Sequence, residues 1–441
     1  MRRTSQITLV LAALISFSSD CQCALAWQGD IAPQDQWFQW RGPLATGVAP
    51  HATPPANWSE DTNIAWKVPM VGEGIATPIV WQDRIFIVTA VPTDNAPETP
   101  VEKDERAMTR PPNQIFQFKI ECRSLETGAI LWEDVCAELA PHEGRHKTSS
   151  YAAASPMTDG KRLIVPFGSF GVFGYSLDGK PLWSVDLGDM HTRRGWGEAT
   201  SPVLVDDLVI MNWDNEDDSF IYALDASSGE IVWKVARDEP TTWATPLIIQ
   251  RNNSKQVVTN GTNEIVGYDL KTGKRLWATQ GTTLNAIPCP VEFGDSVILM
   301  AGYRGNRAVS LRIGDSGEVV QNWELNKGTP YVPSPLLSDN RLYFTQSNKA
   351  ILHCVDASTG KHFYPAKRMR NLENLYGSPV SANGLVYIAD RSGNTLVFKD
   401  AEEFQVVATN YLDDQFDASP VPVDDRLLMR GRKHLYCIQK P

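Results

Sequence analysis

Cysteine, histidine, net positive charge and long apolar runs are all scarce in this chain of 441 residues, and each shortage closes off a class of chemistry. Of seven histidines only His142 and His146 share an i, i+4 interval, in a stretch with no helical signal, so no metal site is predicted. Asp and Glu outnumber Lys and Arg by 52 to 41, which makes nucleic acid a poor partner. Past the first 26 residues no apolar run reaches the roughly 18 residues of a transmembrane helix. Nor is there a Gly-rich phosphate loop, a nucleophile elbow or a paired-carboxylate framework.

What the chain does have begins with a leader. Arg2 and Arg3 precede the apolar run Ile7 to Phe17, and Ala24-Leu25-Ala26 is an A-x-A cleavage signal. Residues 1–26 therefore read as a signal peptide cleaved near Ala26, leaving an exported chain, periplasmic or extracellular. Thr4-Ser5-Gln6 argues against twin-arginine export, and Asp20 before Cys21 against a lipoprotein. Loss of Arg2, Arg3 and Asp20 takes the formal net charge from −11 to −12.

The dominant feature is a repeated phrase, Ala-x-Asp-x-x-Thr-Gly-x-x-x-Trp, with a period near 44 residues. It is cleanest from Ala223 through Asp225 and Gly229 to Trp233, and from Gly267 through Asp269 and Gly273 to Trp277. Looser copies end at Trp132 and Tyr364. Each unit opens with Ser or Thr, then Pro, then apolar residues: Thr77-Pro78, Ser155-Pro156, Ser201-Pro202, Thr245-Pro246, Ser334-Pro335, Ser378-Pro379 and Ser419-Pro420. The fifth copy is degenerate and is read at Ile287-Pro288-Cys289-Pro290. Most starts lie 41 to 46 residues apart. The interval from Pro78 to Pro156 is longer and carries an insertion, residues 91–113, with five prolines and mixed charge. It reads as a flexible flap on blade one, either a lid or an unstructured loop.

Between starts come short β-type runs separated by turn residues, four to a unit. The prediction is an all-β fold: an eight-bladed β-propeller of four-stranded blades in one domain, residues 63–441, behind an N-terminal extension, residues 27–62. The eighth unit has text for only three strands. Asn63-Ile64-Ala65-Trp66-Lys67-Val68-Pro69 can supply the fourth, a three-plus-one closure that removes an exposed edge.

In this register the phrase is packing grammar. Gly229 and Gly273 supply a positive φ in the turn, Asp225 and Asp269 bond turn backbone, and Trp233 and Trp277 fill the wedge between blades. Cys122, Cys354 and Cys437 fall where Ala223 and Gly267 stand, so they read as small buried residues. Cys122 with Cys136 is the one pair whose spacing invites a disulfide, although Cys122 counts as nearer Trp132.

Loops between blades, and between strands two and three of a blade, share one face of a propeller, where binding residues concentrate. Those between blades hold His142-Glu143-Gly144-Arg145-His146-Lys147, Arg193, Arg194, Trp196, Glu198, Thr242, Trp243, Asn285, Tyr331, Tyr376 and Asp417. Those within blades hold Arg304, Lys349, Arg391, Arg430, Arg432 and Lys433. Clustered cations and aromatics suit an anionic or aromatic ligand; the alternative is solvated loops with local ion pairs. The candidate ligand residues are Arg193, Arg194, Trp196, Glu198, Trp243, Asn285, Tyr331, Tyr376 and Asp417. The acidic run 212–218 lacks the Gly and terminal Glu of a Ca²⁺ loop and reads as a solvated turn that Arg193 and Arg194 could neutralise.

The repeat resembles that of the PQQ-like (quinoprotein-type) propellers, over about residues 63–437, and Trp37-Phe38-Gln39-Trp40-Arg41-Gly42-Pro43 resembles the opening of exported bacterial members. The resemblance implies two functions. One is that of the outer-membrane assembly scaffold lipoprotein, a non-enzymatic docking protein. The other is that of quinoprotein alcohol or sugar dehydrogenases, which hold PQQ and Ca²⁺ on the channel axis. Two departures weigh against the second: there are no adjacent cysteines, and this chain is shorter. Glu198, Asn285 and Asp417 have the residue types of the metal ligands, and Trp196 or Trp243 that of a stacking floor. The expected role is a binding or scaffold propeller whose loop face meets a protein or an anionic small molecule, with a PQQ- and Ca²⁺-dependent oxidoreductase as the alternative.

Overall fold

The computed structural model describes residues 32–251, 254–315 and 317–441. The leader and its cleavage point lie outside them. Each repeat folds as one antiparallel four-stranded sheet, and eight sheets form the ring. Blade three runs Val203–Val205, Leu208–Trp213, Ser219–Asp225 and Ile231–Arg237. Its middle strands are buried almost throughout, because sheets stack on both their faces. The outermost strand alternates, with Trp233 turned inward and Ile231 and Val232 exposed.

Blade eight closes as the sequence implies: Ile64–Pro69 pairs antiparallel with the C-terminal strand His434–Gln439, setting Trp66 opposite Cys437. The extension ahead of it adds something unforeseen. Val48–Ala49 pairs parallel with the innermost strand of blade seven, giving that sheet a fifth strand. Further along the extension, the carbonyls of Trp37, Phe38 and Thr46 accept N–H bonds from Val80, Thr158 and Leu337, on the inner strands of blades one, two and six. Residues 36–53 thus stop one end of the channel. Trp37 and Phe38 are buried there. The Arg41 guanidinium, 2% exposed, donates to the carbonyls of Pro335 (2.8 Å) and Pro379 (3.0 Å).

Two bonds recur around the ring. The first explains the Ser/Thr of the opening phrase: at six of the eight starts the backbone N–H donates to the hydroxyl at the same place in the next blade. Ser155 donates to Ser201, Ser201 to Thr245, Cys289 to Ser334, Ser334 to Ser378, Ser378 to Ser419, and Ser419 to Thr77 across the closure, at 2.9–3.3 Å. Within the degenerate fifth start, Cys289-Pro290 holds the register, with a thiol in place of the hydroxyl, and that thiol instead accepts from the Trp40 indole at 3.1 Å.

The second bond is the tryptophan dock. Trp66, Trp132, Trp183, Trp233 and Trp323 each donate the indole N–H to a carbonyl of the next blade, at 2.8–3.1 Å. Each ring lies over that blade's turn glycine, Gly128, Gly179, Gly229, Gly273 and Gly360, with φ of 68–81°. Trp277 departs, donating to Gln256 of its own blade. The Asp225 and Asp269 carboxylates accept turn N–H groups, as expected. All five cysteines in the described residues are free, and Cys122 faces Trp132. Among the described residues no helix is long and apolar enough to cross a membrane.

These bonds set two expectations. Ser378→Ala leaves the buried N–H of Ser334 without an acceptor and should lower stability by about 1–3 kcal/mol, whereas Ser378→Thr should be far milder. Equilibrium urea unfolding reads both. Gly273→Ala and Gly384→Ala share a φ near 68–69°, but only at Gly273 would the new Cβ meet the docked Trp233 ring, whereas nothing lies near Gly384. Both carry the left-handed penalty of about 1–2 kcal/mol. The excess loss at Gly273 measures the dock, and equal losses would show that the dock contributes nothing.

Candidate functional site

At the loop face the channel mouth is filled by the chain's own side chains. Trp196, between blades two and three, meets the Tyr303 ring of blade five edge-on at 6.1 Å. Tyr303 stacks on Tyr331 at 4.8 Å, and Asn285 donates to the Tyr331 hydroxyl at 3.3 Å. Thr148 donates to the Tyr376 hydroxyl at 3.3 Å, from a loop three blades away. The Arg391 guanidinium lies 4.7 Å over the Tyr376 ring. Asp417, 8% exposed, accepts from Arg391 at 2.5 Å and Arg432 at 2.7 Å. Burial pushes the Tyr331 hydroxyl up to about 12 and lowers His146 below its ordinary value.

The candidate residues therefore divide. Trp196, Asn285, Tyr331, Tyr376 and Asp417 belong to this plug, with Arg193 beside it. Arg194 is turned outward, its guanidinium over Trp196 at 5.7 Å and its Nη1 at 3.4 Å from Met108 Sδ. Of the other loop cations, Arg145 is paired with Glu73, and Arg430 is buried, donating to the carbonyls of Ala76 and Val88 in blade one. Ion pairs thus account for Arg145, Arg391 and Arg432, and backbone carbonyls for Arg430, while Lys147, Arg304 and Lys349 are exposed.

Glu198 and Trp243 lie elsewhere, in a crevice at the loop ends of blades two and three. Glu198 accepts the N–H and hydroxyl of Ser169, at 2.8 and 2.6 Å. Glu143 clasps the N–H and hydroxyl of Thr192 in the same way. Burial raises the Glu143 carboxyl to about 7 and that of Glu198 to about 8. The sequence flagged Glu198 but gave no sign of Glu143, which read as one charge in a polar loop.

The acidic run also differs from expectation. Residues 216–218 are exposed, but Asn212, Asp214 and Asn215 are buried. Asp214 is neutralised by Arg237 (2.6 Å), Asp217 by Arg106 of the insertion (2.7 Å), and neither by Arg193 or Arg194. The insertion leans over this region. Met108 donates its N–H to the Arg194 carbonyl at 2.8 Å, and Thr109 its hydroxyl to that of Gly195. A Cβ on Gly144 or Gly195 would strike Thr109.

A planar quinone with a divalent cation does not fit the axis. The aromatic groups that would sandwich it already touch one another, and Arg391 and Arg432 are spent on Asp417. Glu198, bonded to Ser169, lies apart from Asn285 and Asp417 of the plug. Among the described residues no group of three His, Cys, Asp or Glu side chains could hold a metal ion.

The raised carboxyls imply a pH dependence. The folded state keeps protons on Glu143 and Glu198 that the unfolded state releases near the ordinary value of 4.5. Their contribution is fully present below pH 4.5 and is lost as pH rises through about 7 and 8. Melting temperature should fall over that window, and the Glu143→Gln/Glu198→Gln double variant should flatten the slope. An unchanged slope would mean that these carboxyls are not protonated in the fold.

Comparison with known proteins agrees with this architecture. No protein of curated function matches the sequence. Among solved structures, BamB from Moraxella catarrhalis superposes with a TM-score of 0.55 at 14% identity, over 79% of this chain and 98% of that one. A europium-containing methanol dehydrogenase gives 0.60 at 12%, over 91% and 90%. The quinohemoprotein alcohol dehydrogenase of Comamonas testosteroni gives 0.61 at 12%, over 93% and 81%. At such identities these matches speak for the fold alone. The profile of the family described as outer membrane protein assembly factor BamB matches residues 117–364, more than half of the chain. With its eight four-stranded blades, the chain belongs to that family of PQQ-like repeat propellers.

Proposed function

We propose that this chain is an exported, non-catalytic docking scaffold that meets a protein partner through its loop face. The observation that carries the reading is the double stopper: residues 36–53 fill one end of the channel, and the Trp196–Tyr303–Tyr331 stack fills the other. Chemistry on the axis has no room, so what the ring offers is surface. The loop face offers exposed cations, Lys147, Arg304 and Lys349, and the exposed apolar side chain of Met108 on the insertion. Against a net charge of −12 for the chain without its leader, this favours a partner with an acidic contact segment. The family match supports protein interaction in general, and the leader-like residues 1–26 support export. No observation of the site favours the quinoprotein oxidoreductase.

The test is in-cell cross-linking of the full chain. Lys147→Glu/Arg304→Glu/Lys349→Glu on the loop face should abolish specific adducts, while Lys271→Glu/Lys274→Glu on the opposite turns should leave them. The reverse pattern would overturn the docking face. Titration with PQQ and Ca²⁺ should show no saturable binding; binding with alcohol-dependent dye reduction would instead establish the oxidoreductase.

A further inference from the structure

The crevice at the loop ends of blades two and three has a chemistry that neither the docking face nor the axis accounts for. Asn212 lines it, 2% exposed, and its Oδ1 has no hydrogen-bond partner. Its amide orientation is fixed, since Nδ2 donates to Asp214 Oδ2 at 3.1 Å and to the Thr242 hydroxyl at 3.0 Å. A flip would set oxygen against a carboxylate. The free atom is therefore an acceptor, buried without a donor, which is a costly arrangement. Glu143 and Glu198 line the same space, between the aromatic walls of Trp213 and Trp243. No lysine or arginine is among the lining residues. The enclosed cavity between the walls is about 30 Å³, and it opens onto solvent.

Acceptors and aromatic walls without a lysine or arginine select against anions and for a cation with an apolar collar. We propose that this crevice binds a protonated amine, an ammonium or guanidinium group, seated on Asn212 Oδ1 and the carboxylates of Glu143 and Glu198 and flanked by Trp213 and Trp243. The group belongs either to a free alkylamine or to a basic side chain of a partner. Its binding displaces the protons that burial keeps on the two carboxyls, so affinity rises with pH through about 7 to 8. The surrounding charges are Asp189 and His191 on one loop, His142 on another, Asp104 on the insertion, and Asp214, which Arg237 neutralises. The proposal stands whether or not the loop face docks a protein.

The experiment titrates the full chain with n-butylammonium, with n-butanol as the neutral control, and with an end-blocked Gly-Lys-Gly peptide. Tryptophan fluorescence and calorimetry at pH 6 and pH 8.5 give the readout. Saturable binding of a cationic probe, stronger at pH 8.5, is expected, and Glu198→Gln should weaken it about ten-fold. Glu143→Gln serves if Glu198→Gln fails to melt cooperatively, and Glu73→Gln, outside the crevice, should bind as the parent does. Butylammonium binding without peptide binding assigns the site to a free amine; the converse assigns it to a partner's side chain. Binding of neither cation, or of butanol as well as butylammonium, overturns the proposal.

Discussion

A four-stranded blade cannot bury both of its faces alone, so everything in this molecule depends on how one blade is fixed to the next. Two directional bonds do this at opposite ends of the sheet. Near the axis, the N–H of one blade's opening residue donates to the hydroxyl of the next. At the rim, an indole N–H crosses to a neighbouring turn whose glycine lets the ring lie flat. Apolar packing would hold the sheets together in many registers, and these bonds select one. The closing junction obeys the same rule, Ser419 donating to Thr77 and Trp66 docking beside Gly128, although the partners lie more than 300 and about 60 residues apart in sequence.

Fixing the inner strands this tightly leaves a channel, and the chain spends its own residues on filling it. The extension contributes backbone as well as side chains, so the inner strands of blades one, two, six and seven gain hydrogen bonds that a bare propeller lacks. The aromatic stack at the other end joins loops from non-adjacent blades. A ring stoppered at both ends resists shear between its halves, and it directs any binding to the loop face or to seams between blades. The insertion of blade one, bonded to the loops of blade three, covers one such seam.

The architecture was legible because its determinants are local and repeated: a turn glycine, an aspartate three residues before the Ser or Thr, and a tryptophan four residues after the glycine. The three-plus-one closure was readable for the same reason, since Trp66 carries the phrase's ending. What escaped was non-periodic. Nothing in Trp37-Phe38-Gln39-Trp40-Arg41 says that the segment threads the channel, because its partners are carbonyls and amides, which every residue has. Cys289 hid its register by exchanging oxygen for sulfur. Among the candidate residues, Trp196, Asn285, Tyr331, Tyr376 and Asp417 come together on one face, but their bonding to one another could not be read from residue type. Glu198 and Glu143 look alike in sequence to any loop carboxylate, and only burial distinguishes them.

Two arginines show how the ring handles what its geometry leaves unsatisfied. Carbonyls at the blade starts point toward the axis, beyond the reach of their own sheet's ladder. Arg41 meets two of them, those of Pro335 and Pro379, and Arg430 meets those of Ala76 and Val88 across the closing junction. Neither guanidinium has a carboxylate among these partners, and burial lowers both from the ordinary arginine value to about 10, still charged at neutral pH. Burying a charge without a counter-charge is costly, yet a planar donor with five N–H groups is the one side chain able to answer several converging oxygens at once. The same reasoning separates these sites from the crevice. At these two arginines four surplus carbonyls have been given donors from within the chain. At Asn212 one has not, and it is the position where a donor from outside would complete the pattern.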